Sequence, residues 1–272
     1  MRALIKLGGT LLETPESRNR LAREIAAAIA ADPERQIVVV HGGGKQMTGF
    51  LAERGYESKF VNGLRVTTPE IIDAVVKVFA GSVNTALVTA FRAAGARPVG
   101  LTGLDASLVD AVQLSPDLGQ VGRPERSDPR LLELLTSSGY IPVVACVGGD
   151  DQGNIYNVNA DQMAVACASA FGVDHLLFLT DVDGVRDGEG ATRAELTVAE
   201  AADLIASGAA TGGMQAKLEA ATKALESGVK KVWIAPGARE DSIETLLSAD
   251  PLNQENLVGV GTKISLGKKP DN

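Results

Sequence analysis

The sequence predicts an α/β protein, a three-layer αβα sandwich around a mainly parallel β-sheet. Short apolar runs recur along the chain and are nearly continuous in hydrophobicity, as in strands covered on both faces. Longer stretches with helical periodicity separate these runs, and strands that alternate with helices form parallel sheets flanked by helices. No low-complexity linker interrupts the 272 residues, so we expect one continuous sandwich with two lobes.

The apolar runs give the predicted strands in chain order: residues 3–7, 37–40, 98–101, 141–147, 176–179 and 231–235, with a closing strand at 262–265. The amphipathic stretches between them give the predicted helices: residues 16–31, 69–94, 128–138, 160–171, 197–207 and 213–227. Thr68 and Ser127 precede two of these helices as candidate N-caps.

Two segments break the alternation of strands and helices and are predicted β-hairpins. One is 58–67, around Asn62-Gly63, and the other is 110–123, around Ser115-Pro116-Asp117. Excursions of this kind often form a lid or a wall of a ligand site. We therefore expect both hairpins to lie near the substrate site.

Composition excludes several classes of function. The 34 acidic residues exceed the 26 basic residues and give a net charge of −8, which disfavours a nucleic-acid partner. No apolar run approaches the roughly 20 residues that span a bilayer, and the N-terminus does not resemble a secretory signal. We therefore expect a cytoplasmic protein without a membrane partner. Cys146 and Cys167 lie in apolar sequence, which predicts buried, reduced thiols.

Two glycine-rich turns follow predicted neighbouring strands, in the segments Lys6-Leu7-Gly8-Gly9-Thr10 and His41-Gly42-Gly43-Gly44-Lys45. Ligands of open α/β sheets bind at this edge, and glycine N–H groups near a helix N-terminus donate to phosphate oxygens. A tight turn without a ligand is the alternative for either turn alone, but two converging turns with a lysine favour a phosphate site. A Walker A loop and a dinucleotide fingerprint are both absent.

Polar residues in otherwise apolar segments are candidates for substrate binding. Arg65 lies in the first predicted hairpin, where a guanidinium suits a carboxylate, although a surface arginine is the alternative. Asn157 and Asn159 project to one side of an extended segment, and Asp161 opens the next helix. The alternative is that Asn159 or Asp161 only caps that helix.

Two further segments are candidates in the C-terminal part of the chain. Asp181 and Asp183 follow a predicted strand and could meet a ribose or a metal-bound nucleotide, or only stabilise the turn. Lys217 lies on the first two turns of a predicted helix that begins after a glycine pair. A lone lysine on a helix is ordinarily solvated surface.

Taken in order, these motifs resemble those of the amino-acid kinase family over essentially the whole chain. The matching segments are Lys-Leu-Gly-Gly at 6–9, His-Gly-Gly-Gly at 41–44, Asn-Gly-Leu-Arg-Val-Thr at 62–67, Asn-Val-Asn-Ala-Asp at 157–161, Thr-Asp-Val-Asp-Gly-Val at 180–185 and Gly-Gly-Met-Gln-Ala-Lys at 212–217. The segments at 62–67 and 157–161 resemble the branch that acts on acetylated glutamate. The resemblance implies the amino-acid kinase fold, with an N-terminal lobe of about 1–170 for the substrate and dimerisation and a C-terminal lobe of about 171–272 for ATP.

The resemblance also implies site residues, in three groups. The residues implied in catalysis are Lys6, Lys217, Asp161, Gly8, Gly9, Gly43 and Gly44. The residues implied in substrate binding are Gly43, Gly44, Arg65, Asn157 and Asn159. The residues implied in ATP binding are Lys6, Gly9, Asp181, Gly212, Gly213, Met214 and Lys217. By the same analogy the two lysines neutralise the transferring phosphoryl group, Asp161 holds both ammonium groups, and the glycine N–H groups contact the phosphoryl oxygens.

The implied reaction transfers a phosphoryl group from ATP, with Mg²⁺ bridging the phosphates, to the γ-carboxylate of N-acetyl-L-glutamate in arginine biosynthesis. That carboxylate is ionised at neutral pH, since its reference pKa is about 4.3, so no general base is needed and His41 is expected to be structural. N-acetyl-L-aminoadipate is an alternative substrate, because a pocket discriminates one methylene by only about 1–3 kcal/mol. A non-catalytic sensor of ATP and the amino acid is a second alternative.

The resemblance further implies a homodimer. Arginine-inhibited members of the family carry an extra helix before the first strand, whereas here only a couple of residues precede it. We therefore expect an arginine-insensitive dimer whose interface involves the helical region 69–94. No residue of the sequence is assigned as a metal ligand.

Overall fold

The computed structural model describes residues 1–240, 242–248 and 260–267. Its strands are β1 Arg2–Leu7, β2 Gln36–His41, β3 Phe60–Val61, β4 Leu64–Arg65, β5 Pro98–Thr102, β6 Val109–Gln113, β7 Val121–Ser127, β8 Ile141–Ala145, β9 Val147–Gly149, β10 Ile155–Val158, β11 His175–Thr180, β12 Glu195–Thr197, β13 Lys231–Pro236 and β14 Thr262–Ser265. Its helices are α1 Pro15–Ala31, α2 Gly44–Ala52, α3 Pro69–Val75, α4 Asn84–Ala93, α5 Arg130–Ser137, α6 Ala160–Phe171, α7 Val198–Ala206, α8 Gly212–Glu226 and α9 Ser242–Leu247.

The main sheet confirms the predicted α/β class. Within the described residues it has eight strands in the order β12-β14-β13-β11-β1-β2-β8-β5, and only the β13–β14 pair is antiparallel. Helices α1, α4 and α9 pack together in one layer, and α6, α7 and α8 pack together in another. Strands β1, β2, β8, β11 and β13 are buried almost throughout, which explains why their sequences are continuous in hydrophobicity.

The central strands set the position of the glycine turns. Strand β1 pairs in parallel with β2 on one side and β11 on the other, so that Leu7 is aligned with both His41 and Leu179. The carboxyl ends of three adjacent strands therefore lie at one edge of the sheet. Both glycine turns leave the sheet at this edge, as the sequence predicts.

The predicted helix 69–94 is one long helix, Pro69–Ala93, in which the π-helical segment Val76–Val83 joins α3 to α4. By length and composition this helix could cross a membrane, with a mean hydropathy of 1.6 over its most apolar window. Every 18-residue window of this helix contains Lys77, so the helix is not the uninterrupted apolar run of roughly 20 residues that the sequence analysis looked for. Half of the most apolar window is buried inside the protein, and α4 packs against α1 and β5, as expected of a core helix.

Both predicted hairpins are present. Strands β3 and β4 form the first, with Asn62 and Gly63 at positive φ as a two-residue turn requires. Strands β6 and β7 form the second, but they belong to a small closed barrel with β9 and β10 that the sequence did not predict. The predicted strand 141–147 divides at Cys146 into β8 and β9, which sends the chain from the sheet into this barrel.

The predicted helices differ from the observed helices mainly at their ends. Helix α5 starts at Arg130, so Ser127 is the last residue of β7 and does not act as a cap. Thr68 is the N-cap residue of α3, although its hydroxyl donates to Glu70 instead of capping the backbone. Part of the predicted C-terminal lobe, residues 249–259 and 268–272, lies outside the described residues.

Candidate active site

A cavity of about 430 Å³ opens at the carboxyl edge of the central strands. It is lined by both glycine turns, the first hairpin, the segment before α6, the end of β11 and one lysine of α8. The predicted site residues in its lining are Lys6, Gly8, Gly9, Gly43, Gly44, Arg65, Asn157, Asn159, Asp181 and Lys217. The fold thus brings ten predicted residues from six separate parts of the chain to one cavity.

Two lysines that line this cavity converge on the buried carboxylate of Asp161, which borders a second cavity beside it. Lys6 Nζ lies 2.7 Å from Asp161 Oδ1, and Lys217 Nζ lies 3.7 Å from Asp161 Oδ2. The side chains of Lys6 and Asp161 are each 8% exposed and that of Lys217 is 15% exposed. Strand β1 supplies Lys6, the first turn of α6 supplies Asp161 and the second turn of α8 supplies Lys217. The resemblance to the amino-acid kinase family implies this convergence, whereas no local pattern around Lys6, Asp161 or Lys217 signals it.

The charges in this cluster shift the pKa values of its members. Burial alone would raise the pKa of Asp161, but Lys6 and Lys217 outweigh burial and hold the pKa below its usual value. Burial lowers the pKa of Lys217, and the like charge of Lys6 lowers it further against the attraction of Asp161. Two cations thus face the cavity with only one anion between them, which makes the cluster a receptor for additional negative charge.

The glycine turns present backbone N–H groups to this cluster. Among the described residues, no backbone carbonyl accepts the N–H of Gly9, Gly43 or Gly44. Gly9 begins a short 3₁₀ helix and Gly44 begins α2, so these N–H groups belong to helix N-termini that favour anions. Gly8 differs, because its N–H donates to Leu179 O at 2.9 Å. The expectation that the N–H of Gly8 donates to a phosphoryl oxygen is therefore wrong, because this N–H already has a backbone acceptor.

Gly8 and Gly43 also have no room for a side chain. A Cβ atom on Gly8 would lie 2.9 Å from Leu179 O, and one on Gly43 would lie 2.8 Å from Phe79 Cδ1. A Cβ atom on Gly44 would meet nothing within 4 Å. The two turns are thus packed closely against β11 and against the π-helical segment.

Arg65 is buried, and it joins the first hairpin to the second glycine turn. Its Nη2 donates to Gly44 O at 3.1 Å and to Thr48 Oγ1 at 2.7 Å, and its Nη1 donates to Ser58 Oγ. Its guanidinium lies 4.6 Å from the centroid of the Phe60 ring. The alternative of a surface arginine is wrong, because only 7% of the residue is exposed.

The two asparagines before α6 differ in what they contact. Asn157 Nδ2 donates to Thr67 Oγ1 at 3.1 Å beside the cavity. Asn159 is the N-cap of α6, since its Oδ1 accepts from the N–H groups of Asp161 and Gln162 at 2.8 and 3.2 Å. Its amide nitrogen is not engaged in this cap, so Asn159 lines the cavity and also fixes the first turn that carries Asp161.

The predicted nucleotide residues divide between two cavities. Asp181 lies in the first cavity, where its carboxylate accepts from Thr180 Oγ1 at 3.1 Å. Gly212 and Gly213 line a second, adjoining cavity of about 950 Å³ between α6, α8 and the two hairpins. Lys217 borders both cavities, whereas Met214 lines neither.

Sequence analysis missed several residues that line or support the cavity. Thr48 lies one turn after Gly44 in α2, a helix that was not predicted because its start was interpreted only as a turn. Phe79 and Cys146 also line the cavity. Cys146 is buried as expected, and burial raises the pKa of its thiol to about 12, which keeps it protonated.

Comparisons with known proteins agree with this geometry. Residues 1–236 match the amino acid kinase family. A protein of Solibacter usitatus named acetylglutamate kinase is 60% identical over 93% of this chain and 97% of its own length. The acetylglutamate kinase of Acidobacterium capsulatum is 41% identical over 92% of this chain and 96% of its own length. The structure of smu.665 from Streptococcus mutans covers 98% of this chain and 99% of its own, with a TM-score of 0.80 and 28% identity. The chain belongs to the amino acid kinase family.

Proposed function

We propose that this protein transfers the γ-phosphoryl group of ATP to the γ-carboxylate of N-acetyl-L-glutamate, forming N-acetyl-L-glutamyl 5-phosphate in arginine biosynthesis. One observation carries the proposal: Lys6 and Lys217 meet at the buried carboxylate of Asp161, and the two glycine turns beside them hold N–H groups that no backbone carbonyl of the described residues accepts. The relatives named acetylglutamate kinase, at 60% and 41% identity over most of both chains, support the choice of acceptor.

The chemistry needs positioning and charge neutralisation more than proton transfer. A carboxylate oxygen attacks the γ-phosphorus in line, and the bond to the leaving ADP oxygen breaks. Lys6 and Lys217 stabilise the negative charge on the phosphoryl oxygens, and the N–H groups of Gly9, Gly43 and Gly44 donate to them. Asp161 holds the two ammonium groups apart from each other and directs them into the cavity.

Arg65 and Asn157 would fix the acceptor. The guanidinium of Arg65 is buried and held from three sides, so little conformational freedom is lost when it binds an α-carboxylate. Asn157 supplies an amide beside the same cavity for the acetylated nitrogen. Both side chains line the same cavity as Asp181, which is proposed to lie near ATP.

A magnesium ion would arrive with ATP. Among the described residues no cluster of three or more His, Cys, Asp or Glu side chains could hold a metal ion. Asp161 is occupied by two lysines, which leaves Asp181 as the available carboxylate in the cavity. This donor set fits Mg²⁺, which commonly uses one or two carboxylates together with substrate phosphates and water. When bound, the ion would neutralise charge on the phosphates.

The organisation of the whole chain is part of the proposal. The lobe of about 1–170 would bind the acetylated amino acid and form the interface of a homodimer, and the lobe of about 171–272 would bind ATP. The enzyme would act in the cytoplasm. Light scattering tests the oligomer, since a hexamer would contradict the dimer.

The experiment that tests the reaction measures magnesium-dependent ADP release with ATP and four acceptors at matched concentrations. The acceptors are N-acetyl-L-glutamate, N-acetyl-L-aminoadipate, L-glutamate and L-aspartate, and hydroxylamine traps any acyl phosphate as a hydroxamate. We expect the fastest ADP release with N-acetyl-L-glutamate, together with a hydroxamate. Faster release with the aminoadipate would assign the enzyme to the longer substrate. Binding of ATP and amino acid without ADP release would support the sensor alternative and contradict the proposal.

A further inference from the structure

His41 is completely buried at the end of β2, and both of its ring nitrogens have polar partners. Nδ1 lies 2.8 Å from Gly42 O, and Nε2 lies 3.0 Å from Asn84 Nδ2. Asn84 Nδ2 also lies 2.8 Å from Val143 O, which can only accept. The amide nitrogen of Asn84 is therefore oriented as a donor to both groups, so Nε2 of His41 accepts and Nδ1 carries the proton that is donated to Gly42 O.

This hydrogen bond determines the orientation of the next N–H group. The peptide between Gly42 and Gly43 is planar and trans, so its C=O and N–H bonds point in opposite directions. When Gly42 O is held toward the buried imidazole, the N–H of Gly43 points away from the imidazole, on the side of the cavity that Gly42, Gly43 and Gly44 line. No backbone carbonyl among the described residues accepts that N–H.

The π-helical segment holds the same turn from its other side. In a helix with hydrogen bonds from i to i+5, residues four and five apart lie on one face, which places Phe79, Val83 and Asn84 together. A Cβ atom on Gly43 would lie within 3.2 Å of both Phe79 and Val83, so this face is packed against the turn. A Cβ atom on Gly100 would lie 2.2 Å from Asn84 Oδ1. The side-chain amide of Asn84 therefore fits in this position only because residue 100 is a glycine.

We infer that His41 is a positioning residue for phosphoryl transfer. Its neutral imidazole, held by Asn84, anchors the carbonyl of Gly42 and thereby orients the N–H of Gly43 toward the oxygens of the transferring phosphoryl group. The inference rests on the proposed function, and it gives His41 a role beyond packing. Burial lowers the pKa of His41 to about 4, in agreement with a neutral ring at neutral pH.

Two substitutions at His41 separate positioning from packing. In His41→Asn, the side-chain amide places an N–H near the former Nδ1 and retains a donor for Gly42 O. In His41→Gln, the longer side chain places its polar end near the former Nε2, so the contact with Asn84 is retained and the donor to Gly42 O is lost. Both variants remove the ring, and His41→Asn leaves the larger unfilled space because its side chain is one methylene shorter. A higher kcat in His41→Asn than in His41→Gln therefore cannot result from better packing.

We expect His41→Gln to lower kcat by about 10–100-fold, with KM for ATP and for N-acetyl-L-glutamate changed by less than about threefold, because a transition-state donor is misoriented. On a logarithmic scale, the loss of kcat in His41→Asn should be at most about half of the loss in His41→Gln. Equal losses of kcat in the two variants, in proportion to their losses of Tm, would mean that His41 only packs. Unchanged kcat in His41→Gln would likewise overturn the inference.

A matched control is available at His175, the second buried histidine, which lies at the amino end of β11, away from the cavity. His175→Gln should lower Tm and leave kcat within about twofold, because no transition-state contact is affected. Wild-type protein that releases no ADP with N-acetyl-L-glutamate would contradict the proposed function instead.

A measurement on the wild-type protein covers the case in which the His41 variants do not fold or the wild type shows no turnover. The ¹⁵N chemical shifts of the imidazole report which nitrogen carries the proton. We expect the neutral Nδ1–H form of His41 at neutral pH. The Nε2–H form would leave Gly42 O without its donor and would overturn the inference whatever the activity.

Discussion

Lys6 and Lys217 should have the same effect on catalysis and different effects on stability. Replacement of either by methionine keeps most of the side-chain length and removes one cation from the phosphoryl site. Since each cation stabilises charge that develops in the transition state, we expect Lys6→Met and Lys217→Met each to lower kcat by roughly 10²–10⁴-fold.

The difference in stability follows from the geometry of the cluster. At an effective dielectric constant of about 20, the attraction to Asp161 is about 6 kcal/mol for Lys6 at 2.7 Å and about 4.5 kcal/mol for Lys217 at 3.7 Å. The pKa of Lys217 is nevertheless lowered, so burial and the like charge of Lys6 outweigh this attraction. The charged form of Lys217 is thus less favoured in the folded protein than in the unfolded chain. Lys6→Met leaves Asp161 without its nearest partner, and breaking such a buried pair costs about 3–5 kcal/mol.

Urea unfolding and kcat, both measured for the two variants and the wild type, test this reasoning. We expect Lys6→Met to lose about 3–5 kcal/mol and Lys217→Met to stay within about 1 kcal/mol of the wild type or to gain stability. Near-wild-type kcat in either variant would remove that lysine from the catalytic role. A loss of stability in Lys217→Met as large as in Lys6→Met would refute the electrostatic account.

Three further predictions concern the rest of the site. Arg65→Ala should raise KM for N-acetyl-L-glutamate by about 10–100-fold, since a carboxylate contact acts on ground and transition states alike; an effect on KM for ATP alone would contradict the assignment. Gly43→Ala should lower Tm, with about 1–3 kcal/mol lost to the clash with Phe79, whereas Gly44→Ala, which has room, should keep Tm within about 2 °C; equal losses would be inconsistent with the packing. The pKa of the Asp161 carboxyl is lower in the folded protein than in the unfolded chain, so the ionised carboxylate stabilises the folded state. This stabilisation is fully present above the pKa of about 3.9 in the unfolded chain and is lost as the pH falls through the pKa in the folded protein. The difference in unfolding free energy between the wild type and Asp161→Asn should therefore be constant near neutral pH and shrink in acid, and a difference that does not change with pH would count against the ion cluster.

Much of the fold follows from local patterns in the sequence. The predicted strands 3–7 and 231–235 end within one residue of the bounds of β1 and β13, and the predicted helix 160–171 has the bounds of α6. A continuous apolar run and a helical period each report burial, which these elements have. Helix α2 was missed, since it has only nine residues and contains Gly44 and Gly49, which weaken the helical signal. The small barrel was missed because the break at Cys146 lies within an apolar run that has no turn residues.

The candidate site was predicted only in part, because residues that contact each other in the site lie far apart in the sequence. Single residues such as Arg65 and Asp161 were found from their contexts, but their partners are set by tertiary structure. The occupied N–H of Gly8 depends on Leu179, 171 positions away along the chain, and nothing near Gly8 in the sequence signals it. In the sequence Lys217 has the pattern of an ordinary surface lysine, and only the packing of α8 against α6 brings it to Asp161.

The central claim is that a substrate carboxylate attacks the γ-phosphorus at the cluster of two lysines. The most direct measurement uses N-acetyl-L-glutamate with ¹⁸O in both γ-carboxylate oxygens, together with ATP, Mg²⁺ and hydroxylamine. Hydroxylamine attacks the acyl carbon, breaks its bond to the bridging oxygen and releases phosphate, whose ³¹P resonance reports ¹⁸O. The account predicts one ¹⁸O in each phosphate released and one hydroxamate for each ADP. Phosphate without ¹⁸O would mean that water attacks ATP, and would contradict the account.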